Sequence, residues 1–301
     1  MSDAIAVHMR FSIVIPAYSA ATTLSETLDA VLAQRFADWE CIVVDDGSKD
    51  DTAAVAQAYA AGDARVRVVS QANQGTGGAY NAGVAAAAGE FIVVCSADDL
   101  LLPDHLTEVS ARIDAGGACD IYSTNGFLLS PDGSTQLMYG PEDIAGSLNL
   151  AQVVHACFYS VGAVYKRGVF DLVGGYRVGV FGEDYDFWLR AMSMGAKHCY
   201  IPKPLSMHRL SSTQKSSDLQ AALRSDVGIL RDLARSGRLS WHERKASADS
   251  ACARLAHLAH MDSVHWRGAV RLALVYLSHP GSLVRGIGRR LRRASGSSAA
   301  S

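Results

Sequence analysis

Two pairs of adjacent aspartates stand at the ends of apolar runs. Asp45-Asp46 follows Cys41-Ile-Val-Val44, and Asp98-Asp99 follows Phe91-Ile-Val-Val-Cys95 after Ser96-Ala97. Four carboxylates converging beside a core repel one another, and each is costly to bury unless a cation or hydrogen-bond donors accompany it. A divalent metal, or the ribose and base of a nucleotide, would supply that company. A third acidic group, Gly182-Glu-Asp-Tyr-Asp186, opens a helical pattern that runs to Met194. Its carboxylates are Glu183, Asp184 and Asp186; Asp186 lies two helical positions past Asp184 and points elsewhere, and Trp188 and Leu189 read as core. His208 and Arg209 follow a short strand, and Tyr18 lies just past the first apolar run. Asp50 and Thr52 read as caps of a helix over 53–60. The stretch Gly75–Gly78 is not GxGxxG and follows the third strand rather than the first, which excludes a dinucleotide fingerprint. It is expected to let the backbone pass close to a nucleotide.

The elements that must position these groups are legible as a series. Residues 11–15 form a strand stopped by Pro16, and Leu24, Leu28, Val31 and Leu32 mark a helix within 21–35. Strands follow at 41–44, 66–69 and 91–95. A helix over 53–60 and an Ala-rich helix from the glycines to about residue 88 separate them, and Pro103 suits the first turn of the next helix. This β-α-β-α-β-α-β order within about 95 residues predicts a parallel sheet with helices on both faces. Ligands of such sheets bind beyond the carboxyl ends of the strands, where both aspartate pairs fall. After residue 119 the pattern changes. Strands at 119–129 and 134–139 flank the turn Pro131-Asp132-Gly133, a mixed region runs to about 210, and helices begin at 218.

The 301 residues are 49% hydrophobic and 19% charged, enough for a sizeable core. Seven of the 28 lysines and arginines lie beyond Asp262, and none of the 30 acidic residues does. An acidic body with a basic tail argues against a nucleic-acid binder. Six scattered cysteines, at 41, 95, 119, 157, 199 and 252, contain no CxxC pair. They read as buried free thiols in a reducing compartment, hence a cytoplasmic location. The start of the chain carries no signal-peptide pattern, and no run of 18 apolar residues exists to span a membrane. Leu283, Ile287 and Leu291 with Arg285, Arg289, Arg290, Arg292 and Arg293 make a basic amphipathic helix. It is suited to the inner face of a membrane or to the acidic body.

An ordered series of segments carries a family resemblance. It comprises Ile15-Pro-Ala-Tyr18, Glu40-Cys-Ile-Val-Val-Asp-Asp-Gly-Ser48, Asn73-Gln-Gly75, Ala79-Tyr-Asn-Ala-Gly83, Ala88-Gly-Glu-Phe91 and Ala97-Asp-Asp99. Further along come Gly174-Gly-Tyr176, Gly182-Glu-Asp-Tyr-Asp-Phe-Trp-Leu-Arg190 and Leu205-Ser-Met-His-Arg209. Together, over about residues 10–215, they closely resemble the inverting family 2 glycosyltransferases. The resemblance implies a GT-A fold: a Rossmann-like, mostly parallel central sheet with helices on both faces, here with a C-terminal helical extension. It implies a glycosyltransferase domain over 1–215, with a nucleotide-sugar part at about 10–118 and an acceptor part at about 119–215, and the extension with its basic tail over 216–301.

The activity so implied is metal-assisted, inverting transfer of a sugar from a UDP-, dTDP- or GDP-sugar to a glycan or lipid-linked acceptor, in cell-surface polysaccharide or glycolipid synthesis. Tyr18 and Asp46, with Asp45 beside it, hold the base. Pro16, Ala17, Asn73, Gly75, Asn81, Ala97, Asp98 and Arg209 complete the nucleotide side. Asp98, Asp99 and His208 face Mn²⁺ or Mg²⁺, and Asp184 is the general base. A homodimer is compatible with this reading. The chain departs from the family pattern at Ser96, where an aspartate is usual, at Tyr80, where arginine is common, and at Ser19, where asparagine is common. Two other readings remain open. A sugar nucleotidyltransferase would need a basic loop after the first strand, and Tyr18-Ser-Ala-Ala-Thr-Thr23 has no Lys or Arg. A non-catalytic nucleotide-sugar-binding partner subunit would be compatible with Ser96.

Overall fold

The computed structural model of the chain describes residues 9–140, 143–144, 146–155, 161–211 and 218–261. The basic tail helix expected at 283–293 lies outside them. Contacts divide the chain into two compact units, one of residues 1–149 and 157–217 and one of residues 150–156 and 218–301.

The first unit is built on one mixed sheet. Its opening half comprises the parallel strands β1 (Phe11–Ala17), β2 (Trp39–Asp45), β3 (Val66–Ser70) and β4 (Phe91–Val94). Helices α1 (Leu24–Leu32), α2 (Thr52–Gly62) and α3 (Gly75–Ala86) connect them. The spatial order is β3-β2-β1-β4. The chain therefore winds outward from β1 to one side and then returns to the other, which opens a crevice at the carboxyl ends of β1 and β4. Buried Phe11, Ile13, Ile15, Leu24, Leu28, Trp39 and Val43 share one core cluster, and Ile42, Val44 and Ala79 share another. At Gly83 on α3, a Cβ would lie 2.3 Å from Val14 Cγ1, so only glycine lets this helix lie so close to β1.

Pro16 does not stop β1, which continues to Ala17 beside Asp45. In a parallel strand alternate residues bond to opposite neighbours. Val14 accepts from Cys95 N–H, and Ala17 accepts from Asp46 N–H. Pro16 shares the parity of Val14, and β4 pairs with β1 only as far as Val14. The missing N–H therefore faces the side that β4 has already left.

The rest of the first unit adds β5 (Leu100–Leu101), α4 (His105–Asp114), β6 (Ile121–Leu129), β7 (Thr135–Leu137), β8 (Val164–Lys166), α6 (Arg167–Val173), α7 (Glu183–Ser193) and β9 (His198–Arg209). They extend the sheet as β4-β8-β6-β9-β5, with β7 on β6. The expected hairpin over 119–139 is present as β6 and β7. In place of a short strand before His208, β9 spans 12 residues. Pro202 and Pro204 interrupt its apolar run, and the β6–β9 register shifts between Thr124 and Asn125 to accommodate them.

The second unit contains α5 (Leu150–Val153), α8 (Leu219–Arg235) and α9 (Trp241–Met261). Ser250 Oγ–H donates to Val154 O at 2.5 Å, and Arg254 Nε donates to Asp226 at 2.8 Å. No helix among the described residues is long and apolar enough to cross a membrane.

The expectation of six free thiols is corrected in part. Cys119 and Cys199 form a disulfide, while Cys41, Cys95 and Cys252 are free and buried. The parallel β6–β9 register sets Cys199 beside Tyr122, which brings two cysteines 80 residues apart within bonding reach, with a Cα–Cα distance of 5.8 Å.

Glu40 fastens the outer strands. Its buried carboxylate accepts Ser12 Oγ–H at 2.7 Å, Ala88 N–H at 2.5 Å and Arg67 Nη2–H at 2.5 Å. Burial opposes its ionisation, but these donors together hold it below the ordinary glutamate range. A lowered folded-state value gives stability that is complete above the unfolded value of about 4.3 and is lost as pH falls through the folded one. Glu40→Gln should therefore lower unfolding stability by about 2 kcal/mol at neutral pH. The deficit should shrink in acid, as measured by urea denaturation at both pH values.

Candidate active site

The crevice floor is the set of strand ends that the switch in winding leaves open. Pro16, Ala17 and Tyr18 close β1, Asp45 closes β2, and Ser96–Asp99 follow β4. Tyr18 is 53% exposed, with its ring face available. Ser19 next to it takes a left-handed φ of 52°, and its N–H donates to Ser48 Oγ at 3.1 Å. Thr52 and Asp50 hold the same loop from α2. Ala20 N–H donates to Thr52 Oγ1, and Ala21 N–H to Asp50 Oδ2. Asp50 in turn takes the Thr52 hydroxyl, which keeps its carboxyl below the usual range.

The first aspartate pair divides its work. Asp46 is buried and accepts Gln71 Nε2–H at 2.7 Å, Gln74 N–H at 2.9 Å and Gly75 N–H at 2.8 Å. It thus satisfies the opening N–H groups of α3 with charge of the sign that a helix N-terminus favours. Asp45 accepts only Ser48 N–H, at 3.1 Å on Oδ1, and its Oδ2 makes no hydrogen bond among the described residues. Asn73 is exposed, and its Oδ1 takes Gly75 N–H at 3.3 Å.

The second pair divides in the same way. Asp99 is 1% exposed. Its Oδ1 faces His208 Nδ1 at 3.0 Å and accepts Arg209 N–H at 3.0 Å, which fastens the end of β9 to the end of β4. The Asp99 hydrogen bond raises the His208 imidazole above its ordinary value, with the nearby Asp98 charge adding to the effect. His208 is left with Nε2 directed away from Asp99. Asp98 is half-buried, and its carbonyl accepts Arg209 Nε–H at 3.1 Å. The Arg209 guanidinium also pairs with Glu26 on α1. Ala97 O accepts Thr23 Oγ1–H at 2.9 Å.

Asp184 stands at the head of α7. It is exposed in the first turn of α7, just after Gly182 with φ 76°. The helix behind it is clamped. Asp186, 1% exposed, pairs with Arg190 at 2.7 Å and Arg177 at 3.3 Å, and Arg190 donates to Val173 O and Gly175 O. Asn81 on α3 exchanges both of its amide groups with the backbone of Tyr176, which ties the segment before α7 to the parallel half of the sheet. Tyr80 stacks on Tyr176 at 4.9 Å and Tyr176 on Phe187 at 4.3 Å. Burial drives the Tyr80 phenol far above its ordinary value. The Asn81 bonds and the aromatic stack together hold the segment before α7, and α7 itself, against α3.

A family model described as glycosyl transferase family 2 matches residues 12–174, more than half of the chain. The chain belongs to this family. It is 28% identical over 312 residues to the succinoglycan biosynthesis protein ExoO of Rhizobium meliloti, covering 93% of this chain and 85% of ExoO. Other relatives are longer, and the chain spans 53% of one and 32% of another. Among solved structures it is similar to S. aureus TarS in complex with UDP-GlcNAc. The TM-score is 0.66 at 18% identity, over 82% of this chain and 72% of that one. It is also similar to the mannosyltransferase PcManGT from Pyrobaculum calidifontis in complex with GDP-Man and Mn²⁺. Here the TM-score is 0.62 at 19% identity, over 91% and 82% of the two chains. Both likenesses bear out the GT-A fold, and the family makes the chain a glycosyltransferase.

Within this glycosyltransferase, several supporting residues carry no sequence motif of their own. Gln71 and Glu26 act only through partners that the fold delivers. Thr23, just before α1, likewise holds Ala97 O without any signal in the sequence. One glycine of α3 also makes room for the protein's own chain. A Cβ on Gly77 would lie 2.7 Å from Arg177 O, so what passes close to this helix is the protein's own segment leading to Asp184. Gly77→Ala should push that segment away, cutting transfer at least tenfold and stability by about 1–3 kcal/mol. Turnover and thermal unfolding of the variant check this.

Proposed function

We propose that this glycosyltransferase moves a sugar, with inversion, from a nucleoside diphosphate sugar to a hydroxyl of a glycan or lipid-linked acceptor in the synthesis of a surface polysaccharide or glycolipid. The observation that carries the reading is the family match together with half-buried Asp98 just after β4 and exposed Asp184 in the first turn of α7. Tyr18 stacks on the base, and Asp45, rather than the fully engaged Asp46, accepts from its polar edge. Asp46 instead shapes the Gln71–Gly75 turn along which the nucleotide lies.

A divalent cation fits the donor set. Asp98 offers a hard carboxylate. His208, oriented through Nδ1 by Asp99, offers Nε2, the arrangement in which a carboxylate sets the tautomer of a ligating histidine. Asp99 serves as that orienting carboxylate. Among the described residues no cluster of three or more His, Cys, Asp or Glu could hold a metal alone. The remaining positions would come from diphosphate oxygens and water, the usual situation for Mg²⁺ or Mn²⁺ beside phosphates. When bound, the ion would offset the charge of the departing diphosphate.

Asp184 takes the proton of the acceptor hydroxyl as its oxygen bonds to the anomeric carbon, and the bond from that carbon to the diphosphate breaks on the opposite face. Its exposed position leaves room for the acceptor, and the Asp186–Arg190 clamp fixes its direction. Arg209, held between Asp98 and Glu26, keeps the Asp98 turn in place and lends positive charge to the diphosphate side. The loop from Tyr18 to Thr23, without Lys or Arg, lacks the grip a nucleotidyltransferase needs on a triphosphate.

Asp98→Ala and Asp184→Asn should each reduce release of nucleoside diphosphate from a UDP-, GDP- and dTDP-sugar panel by about 10³-fold or more. Asp184→Asn should keep donor affinity within a few-fold by calorimetry, whereas Asp98→Ala should lose it. Wild-type turnover in Asp184→Asn would refute the base assignment, and no release from any donor by the wild type would favour a non-catalytic partner subunit.

A further inference from the structure

The second unit carries an exposed feature that the transfer chemistry does not use. The turn between α8 and α9 ends in Trp241, whose side chain is 66% exposed, the most of any large hydrophobic residue among those described. Arg231, Arg235, Arg238 and Arg244 surround it in sequence, and all four are exposed. Arg231, Arg235 and Arg238 make no side-chain hydrogen bond or ion pair among the described residues. From Arg231 to Lys245 there are five basic residues and two acidic ones. One of the acids is turned inward, since Glu243 accepts Ser240 N–H at 2.8 Å and Ser240 Oγ–H at 2.7 Å, while Ser240 Oγ accepts Glu243 N–H at 3.3 Å.

This capping box fixes the entry to α9. Leu239, 5% exposed, anchors the turn from below, and Ser247 Oγ–H donates to Leu230 O to join the two helices. The result is a rigid basic tip with one indole held outward. A flat-ringed, amphipathic side chain amid unpaired guanidinium groups matches the boundary of an anionic bilayer. There an indole settles at the headgroup level, and each arginine gains from the surface potential. We propose that the α8–α9 turn docks on an anionic membrane surface, with Trp241 inserted between headgroups and Arg235 and Arg238 on lipid phosphates. This site is separate from the basic tail at 283–293 and independent of the donor assignment.

The test uses the full chain with vesicles of phosphatidylcholine alone and of equal parts phosphatidylcholine and phosphatidylglycerol. Sedimentation should show binding to the anionic vesicles only. Arg235→Gln/Arg238→Gln should weaken it by about 25-fold at low salt, about fivefold per arginine. Trp241→Ser should also weaken it several-fold, and should abolish most of the fluorescence quenching that brominated lipid causes in the wild type. All three positions are exposed, so thermal midpoints should stay within a degree or two of wild type. Binding that both variants retain in full, and that disappears only on removing 283–301, would overturn the proposal. So would the absence of vesicle binding together with self-association that Trp241→Ser abolishes, which would mark the tip as a contact between copies of the chain.

Discussion

A carboxylate taken out of water must find donors or give up its charge, and the arrangement of the whole crevice follows from how three buried acids meet that demand. Asp46 meets it with the start of α3, Asp99 with the end of β9, and Asp186 with Arg190. The first two contacts join different elements, and the third clamps α7 on itself. Each also lies beside an acid with a different fate: Asp45 with its second oxygen unbonded, half-buried Asp98 and exposed Asp184. The doublets in the sequence are thus composites. One member builds the wall, and its neighbour is presented by the wall.

The parallel half of the fold was legible because its signals are local. Short apolar runs punctuated by glycine and aspartate give strands buried on both faces, and helical spacing between them gives the crossovers. Pro16 misled because a missing N–H matters only on a side that has a partner, and the sequence does not say where β4 departs. The second half of the sheet was less readable for related reasons. The two residues of β5 are too few to show a period. The run that makes β9 is cut by Pro202 and Pro204, which a register shift absorbs. The Cys119–Cys199 pairing depends on that same register, so no spacing rule could have found it.

At the candidate site, Asp45, Asp46, Asp98 and Asp99 lie at or just past strand ends, and Asp184 lies in the first turn of α7. The family resemblance did not apportion roles within each doublet. That depends on Gln71, Glu26, Arg190 and Asn81, whose partners lie from 4 to 183 residues away. Tyr80, an oddity in the motif, proves to be the top of an aromatic stack that carries the first helical turn of α7. A large ring there fills space that a charged side chain would leave to water.

The fastening of Asp99 to His208 and Arg209 has a consequence for how the molecule matures. Its partners lie 109 and 110 residues further along the chain, on β9, which is held by pairing along β6 and β5. A strand order that must wait for such distant pairings is slow to assemble, because loop closure precedes the contacts that reward it. The strands β1 to β4 are joined by shorter connections, and Asp46 finds its donors within them. The buried carboxylate at the end of β4 instead depends for its compensation on a contact 109 residues away.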